Sequence, residues 1–204
     1  AVGEFNWGST LWHELAHTFT LGASANRVPR WLSEGLSVYE ERRARPAWGD
    51  DVSPPFIAAF KGGLLVTLDH MNDGFMRPKF PEQVILSYYQ ASLVCEVIER
   101  DFGIKGIRDL LAGYRRGLDT DAAVKGALGI DVAALQGRYE AFVKSRFARE
   151  LDAVDAAGAP SGEAHAIDWK GSFIDAMRRG TALERQQAYD RADEEFTAAK
   201  ALFP

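Results

Sequence analysis

Hydrophobic residues recur at intervals of three and four along most of this chain, which is the period of α-helices that bury one face. With the capping signals between them, they predict helices over about 9–22, 30–44, 81–102, 104–113, 120–128 and 132–151. Glycine and proline interrupt the pattern between residues 46 and 82. That stretch is predicted to be irregular, apart from a short helix near 56–61 and an apolar segment at 64–68 that is either a strand or a buried loop. The chain is therefore predicted to be mostly α-helical.

The first predicted helix, which Ser9 or Thr10 can cap, contains the sequence Trp12-His13-Glu14-Leu15-Ala16-His17. Histidines four residues apart lie on one face of a helix, where both imidazoles can bind a single Zn²⁺. Glu14 is rotated about 100° from His13, so it lies beside the metal and can reach a water there without being a ligand. The alternative is a helix with two incidental histidines and one charged residue.

A zinc ion bound by two histidines needs a third protein ligand, and Glu34 is the candidate. It lies one turn inside the second predicted helix, which follows Pro29, and 16 residues separate it from His17. That length suffices to end the first helix, turn near Gly22 and return, so that Glu34 faces the histidines. Two histidines and one glutamate leave the fourth position of zinc open for water. The alternative is that Glu34 is a solvated helix charge.

The segment Trp31-Leu32-Ser33-Glu34-Gly35-Leu36, taken with the histidine motif, resembles the gluzincin metallopeptidases. The similarity is greatest to bacterial peptidase MA-like domains, which are related to aminopeptidase N and thermolysin. A looser similarity joins Ser87-Tyr88-Tyr89-Gln90-Ala91 to the family's Ser-Tyr-x-Lys-Gly segment, whose tyrosine stabilises an oxyanion. The resemblance covers about residues 9–150 and is strongest over 13–40.

The resemblance implies a role for each matching residue. Zn²⁺ would be held by His13, His17 and Glu34, with Glu14 as the general base. Tyr88 would donate to the oxyanion, with Tyr89 and His70 as substitutes, or would simply be a packed core tyrosine. The implied fold is the C-terminal helical part of a zincin-like α+β domain, whose β-sheet is expected upstream.

The chain departs from the family pattern at several positions. Ser33 replaces the asparagine of the aminopeptidases, and Gln90 and Ala91 replace a lysine and a glycine. Val38 occupies the position of the aspartate that follows the ligand glutamate in thermolysin. The group that orients the histidines is therefore unassigned. The Gly-x-Met-Glu-Asn motif that defines aminopeptidases is also missing from the sequence.

The chain is predicted to consist of a metallopeptidase domain at 1–151, a linker at 152–167 and a helical hairpin at 168–204. The linker is rich in alanine, glycine and proline. The hairpin resembles one tetratricopeptide repeat, because small and aromatic residues fall at the consensus positions of that repeat. Those residues are Gly180, Leu183, Tyr189, Ala192, Phe196, Ala199 and Pro204. An ordinary helical hairpin is the alternative; a repeat would imply more repeats and a protein partner.

Composition narrows the function further. The 204 residues are 47% hydrophobic and 26% charged, enough for one sizeable core and a smaller unit. A net charge of −5 without a basic stripe gives no reason to expect a nucleic-acid partner. No apolar run approaches the ~20 residues that span a bilayer. Cys95 is the single cysteine, so no internal disulfide can form, and its apolar neighbours predict that it is buried.

The function predicted from the sequence is zinc-dependent hydrolysis of peptide or protein substrates. The main alternative is a non-catalytic scaffold that binds a protein partner and has a structural or vestigial zinc site. An intact Glu14 favours the enzyme, because a structural zinc site needs no base. A hydrolase that acts on another bond is a third interpretation.

Overall fold

A computed structural model describes residues 6–48, 53–80, 82–156, 179, 183 and 188–201. Throughout these residues the regular structure is helical and contains no β-strand, which confirms the prediction of a mostly α chain. The α-helices are α1 (Trp7–Ser24), α2 (Arg30–Ala44), α3 (Ser53–Lys61), α4 (Met71–Met76), α5 (Gln83–Arg115), α6 (Thr120–Leu128), α7 (Val132–Arg146), α8 (Ala148–Ala156) and α9 (Tyr189–Ala201). Short 3₁₀-helices cover Pro46–Trp48 and Leu68–His70.

The structure matches the sequence-based helices most closely at α2 and α6. The two helices predicted over 81–113 are joined in α5, where Gly103 adopts φ 68° and ψ 179° and breaks the helical geometry. Conversely, the single helix predicted at 132–151 divides into α7 and α8 around Phe147. The apolar segment 64–68 is not a strand; its last residue begins a 3₁₀-helix.

The start of α1 differs from the prediction that Ser9 or Thr10 would cap it. Asn6 is the N-cap residue, and its Oδ1 accepts a hydrogen bond from the backbone N–H of Ser9 at 3.1 Å. An asparagine side chain satisfies a free N–H of the first turn in this way. Ser9 is therefore inside the helix, and its buried hydroxyl is available to bind another side chain.

The chain divides into two compact units, and the first comprises Ala1–Phe56 and Leu64–Ser145. In its core, α2 packs against both α1 and α5, and α1 also contacts α5. A Cβ atom at Gly35 would lie only 2.8 Å from the backbone carbonyl of Ala91, so α2 and α5 approach too closely for a side chain there. Helix α4 contacts the start of α2, because the Trp31 N–H donates to Asn72 Oδ1 at 3.1 Å. These contacts bring α1, α2, α4 and the first turns of α5 together around one site.

The second unit comprises Ile57–Gly63 and Arg146–Pro204. Within it, Lys61 Nζ donates to the carbonyl of Leu151 at 3.3 Å, and Ala192 of α9 is buried. Helix α8 continues to Ala156, into the stretch predicted as a linker. The rest of that linker and most of the predicted repeat lie outside the described residues, so the domain boundaries and the repeat stay predictions. None of the described helices has the length and hydrophobicity that crossing a bilayer requires.

Candidate metal centre

Three potential metal ligands converge between α1 and α2. His13 Nε2 and His17 Nε2 are 3.1 Å apart, which follows from their spacing of one turn on α1. Glu34 Oε2 lies 3.4 Å from His13 Nε2 and 3.3 Å from His17 Nε2. All three side chains are partly buried. Residues from two different helices thus present two nitrogens and one oxygen to a single point.

These distances fit a tetrahedral metal ion. Ligand atoms that are each about 2.1 Å from a tetrahedral zinc lie about 3.4 Å apart, so the three observed separations of 3.1–3.4 Å match the edges of such a site. Two imidazoles and a carboxylate are a ligand set that zinc accepts. His13, His17 and Glu34 can therefore hold a metal ion without rearrangement of the helices.

The other ring nitrogen of His13 is held by Glu41, a residue near the end of α2. His13 Nδ1 lies 2.5 Å from Glu41 Oε1, and the Ser9 hydroxyl donates to Glu41 Oε2. Carboxylates that bind the far side of a ligand histidine fix the ring orientation and leave Nε2 for the metal. Glu41 thus fills the orienting role that the sequence left unassigned.

His17 is oriented by hydroxyl groups instead. Its Nδ1 lies 2.9 Å from Ser33 Oγ and 3.3 Å from Ser37 Oγ. Thr20 Oγ1, one turn beyond His17 on α1, lies 3.3 Å from Ser33 Oγ. Ser33 stands where the aminopeptidases have asparagine, so a smaller polar group occupies this position and still reaches the ring.

These contacts shift the pKa values of His13 and Glu34 in the absence of a metal ion. Burial lowers the pKa of His13, but hydrogen bonds and charge from Glu34 and Glu41 act in the opposite direction and raise it to about 9. Burial raises the pKa of Glu34, whereas the hydrogen bond to His13 and the charges of His17 and Arg30 lower it below its ordinary value. The raised pKa favours the protonated form of His13 when no metal is bound, so a metal ion would have to displace a proton from this histidine.

Glu14 lies on α1 next to His13 and is exposed. Within the described part of the chain, no hydrogen bond or ion pair engages its carboxylate. Glu14 is not one of the three converging ligands. A free, accessible carboxylate adjacent to a ligand histidine is suited to exchanging protons with a substrate or water at the site.

The candidate oxyanion donors have separate locations. Tyr88 is half-buried on α5, and its ring packs edge-on against Phe75 of α4 with centroids 5.1 Å apart. Tyr89 is buried and its ring contacts Phe56 and Arg42. The side chain of His70 is 67% exposed and pairs with Asp69 and Asp73, away from the three ligands. Of the two tyrosines, Tyr88 is the one whose side chain is partly exposed, whereas Tyr89 is buried.

A cavity of about 410 Å³ opens beside His13 and extends to Tyr88. Its walls combine apolar and polar side chains: Asn6, Ser9, Thr10, His13, Val38, Glu41, Arg42, Ala47, Trp48, Ile85, Tyr88 and Tyr89. Residues 46–82 are the stretch in which glycine and proline interrupt the hydrophobic pattern of the sequence. Among the described residues of that stretch, the cavity is lined by Ala47 and Trp48 alone.

Sequence reasoning missed Glu41 and the serines, although a signal was present. Glu34 and Glu41 are seven residues apart, and Ser33 and Ser37 are four apart, so each pair shares one face of α2. Once Glu34 is assigned to the metal, residues one and two turns along the same helix are the natural partners for the histidines on α1.

Comparison with known protein families gives a match over most of the chain. The model of the peptidase MA superfamily matches residues 1–145, which include α1, α2, the three converging ligands and Tyr88. No curated protein matches the chain, and neither does any solved structure. The match extends over more than two thirds of the 204 residues. The chain belongs to the peptidase MA superfamily.

Proposed function

We propose that this protein is a zinc-dependent peptidase of the gluzincin type, which hydrolyses peptide bonds in a peptide or protein substrate. The observation that carries the proposal is the convergence of His13 Nε2, His17 Nε2 and Glu34 Oε2 within 3.1–3.4 Å of one another. Three protein ligands leave a coordination position open, as in catalytic zinc sites, whereas structural zinc sites are closed by four. Membership of the peptidase MA superfamily supports the same conclusion.

When bound, zinc would supply Lewis acidity, which lowers the pKa of a water toward about 7 and polarises a carbonyl group. The exposed carboxylate of Glu14 takes the proton from the attacking water and later delivers it to the leaving amine. Tyr88 donates a hydrogen bond to the oxyanion that develops on the substrate carbonyl. Glu41 and Ser33 hold the histidine rings in the orientation that keeps both Nε2 atoms at the site.

Replacing Glu14 by glutamine tests this assignment. Glutamine keeps the size of the side chain but cannot accept a proton, so cleavage by the full-length protein should fall by about 10²–10⁴-fold. Zinc content should stay at the wild-type value, because Glu14 is not among the converging ligands. Glu40→Gln is the control: Glu40 contacts Arg43, and its replacement should leave cleavage unchanged.

Two results would contradict the proposal. If the Glu14→Gln protein cleaves peptides as fast as the wild type, Glu14 is not the base. If the wild type binds zinc and cleaves nothing across a broad peptide library, the protein is a scaffold, and the predicted tetratricopeptide hairpin becomes the place to look for a protein partner.

A further inference from the structure

The cavity beside His13 contains two residues of opposite charge among the described residues of its wall, Glu41 and Arg42. Glu41 has both carboxylate oxygens engaged, because Oε1 lies 2.5 Å from His13 Nδ1 and Oε2 accepts a hydrogen bond from the Ser9 hydroxyl. Its negative charge therefore serves the wall itself. Arg42, the next residue on α2, makes no contact of this kind with His13 or Ser9.

Aromatic rings hold the guanidinium of Arg42. Its Cζ lies 5.5 Å from the centroid of the Tyr89 ring and 5.9 Å from that of Tyr39. A guanidinium within about 6 Å of an aromatic ring is attracted by it, and more strongly where water is excluded. The Arg42 side chain is only 14% exposed, and Tyr89 lines the cavity together with it. The guanidinium is therefore held beside the cavity wall instead of extending into solvent.

Most of the hydrogen-bonding capacity of Arg42 is unused. Of the five N–H donors of a guanidinium, one has an acceptor among the described residues: Nη2 donates to Glu96 Oε2. Their distance of 3.3 Å exceeds the roughly 2.7–2.9 Å of a strong charge-assisted hydrogen bond. The buried Nε–H has no acceptor in the described part of the chain. An unpaired buried donor costs free energy, which an acceptor bound at this guanidinium would recover.

A carboxylate is the ligand group that suits this donor. The N–H groups of a guanidinium match the two oxygens of a carboxylate, whereas an ammonium group has no acceptor to offer them. The carboxylate of Glu41 is already engaged, so the described cavity wall has a free charged partner for an anionic group and none for a cationic one.

We propose that Arg42 is a specificity-determining residue, which binds a carboxylate of the substrate in the cavity beside His13 and so selects peptides that carry one near the cleaved bond. The inference rests on the proposed peptidase function and names the substrate class of that site. The carboxylate is either an aspartate or glutamate side chain or the free carboxyl terminus of the peptide. A volume of about 410 Å³ lies in the range of pockets that bind small ligands, so such a group has room to enter.

The test uses the full-length zinc-loaded protein and peptides that differ only in charge. One peptide that the wild type cleaves is prepared in two matched pairs: with a free or an amidated carboxyl terminus, and with glutamate or glutamine beside the cleaved bond. Losing a hydrogen bond to a charged group weakens binding by about tenfold to 100-fold, so KM should be lower by about tenfold or more for the charged member of one pair. That pair identifies the carboxylate. The kcat should differ by less than about threefold, because the interaction is the same in the ground state and the transition state.

Arg42→Gln should remove this preference. Its KM for the charged peptide should rise about tenfold, whereas KM for the neutral peptide should change by less than about twofold. Arg42→Lys keeps a positive charge beside Glu96 but loses the planar fork, so it should retain part of the preference. Arg43→Gln is the matched control, since Arg43 is exposed and pairs with Glu40 and Glu99. It should leave KM unchanged for every peptide.

Equilibrium binding gives a second readout that does not depend on turnover. In the zinc-loaded Glu14→Gln protein, calorimetry should find that the charged peptide binds about tenfold more tightly than its neutral counterpart. Adding Arg42→Gln should make the two affinities equal. Zinc also attracts anions, but it is present in both proteins, so the difference between them reports on Arg42.

Several results would overturn the inference. A wild type whose KM agrees within about twofold for both members of each pair does not select a carboxylate. A preference that persists undiminished in Arg42→Gln has another origin. Failure of the proposed function is distinguished in parallel: if the wild type cleaves peptides and Glu14→Gln does not, while Arg42→Gln keeps the full preference, only the role of Arg42 is wrong. A wild type that cleaves nothing contradicts both.

Discussion

Replacing Glu41 tests whether the contact between α2 and His13 controls metal binding. Glu41 Oε1 lies 2.5 Å from His13 Nδ1, and the Glu41 side chain is only 13% exposed, so water screens this contact weakly. Glu41→Gln keeps an acceptor of the same length but removes its charge. Glu41→Ala removes the contact altogether and leaves the imidazole free to rotate.

The size of the effect follows from the kind of hydrogen bond that is lost. A hydrogen bond to a charged group contributes about 1.5–3 kcal/mol, and a neutral one about half as much. Glu41→Gln should therefore cost about 1–1.5 kcal/mol of zinc binding, which is a loss of affinity of about fivefold to tenfold. Glu41→Ala should cost the whole contact and weaken binding about 10–100-fold, as removal of such orienting groups does elsewhere.

The assay is a competition titration against a chromophoric zinc chelator at constant pH, with each variant compared with the wild type. Glu40 is the matched control, since it is the preceding residue on α2 and its carboxylate pairs with Arg43 at 3.1 Å. Glu40→Ala should leave the zinc dissociation constant within about twofold. If Glu40→Ala and Glu41→Ala weaken zinc binding equally, the orienting role of Glu41 is refuted.

Two further predictions concern the scaffold of the first unit. Gly35→Ala should lower the free energy of unfolding, measured by chemical denaturation, by about 1–3 kcal/mol, because its Cβ would lie 2.8 Å from the backbone of Ala91. The control is Gly126→Ala, where the space is open and the free energy of unfolding should rise by up to about 1 kcal/mol. Equal effects of the two substitutions would contradict the close approach of α2 and α5. The hydrogen bond with Arg100 and the charge of Arg138 lower the pKa of Asp101 below 3.8, so its ion pairs stabilise the fold above that pH, and the contribution is lost as pH falls through the lowered value. Asp101→Asn should thus cost up to about 1 kcal/mol at pH 7 and progressively less as pH falls through the lowered pKa of Asp101. A loss that stays constant as pH falls would contradict the ion-pair origin.

The sequence predicted the helices well where capping or helix-breaking residues mark both of their ends. Proline precedes and follows α2, and Asp119 and Gly129 bound α6, so both helices begin and end as predicted. The start of α1 was missed because Asn6, Ser9 and Thr10 are all good caps, and the choice among them depends on which hydroxyl Glu41 binds. Local propensity does not contain that tertiary contact.

The three candidate ligands His13, His17 and Glu34 could be predicted from two short sequence motifs, but the residues that surround them could not. His13 and His17 are fixed relative to each other by one helical turn, whereas the approach of Glu34 depends on how closely α1 and α2 pack. The contact of Tyr88 with Phe75 depends on α4, a helix of six residues within a stretch that glycine and proline made unpredictable. Sequence spacing therefore predicted the ligands, and the three-dimensional packing supplied the residues that orient them.

Measuring the zinc bound per chain tests the central claim most directly. After reconstitution and removal of free metal, elemental analysis should find about one zinc per wild-type chain and none in the His17→Ala protein. His70→Ala should retain the full amount, because His70 is exposed and pairs with Asp69 and Asp73 rather than with the metal group. A wild-type protein that holds no zinc, or a His17→Ala protein that holds as much as the wild type, would contradict a metal site formed by His13, His17 and Glu34.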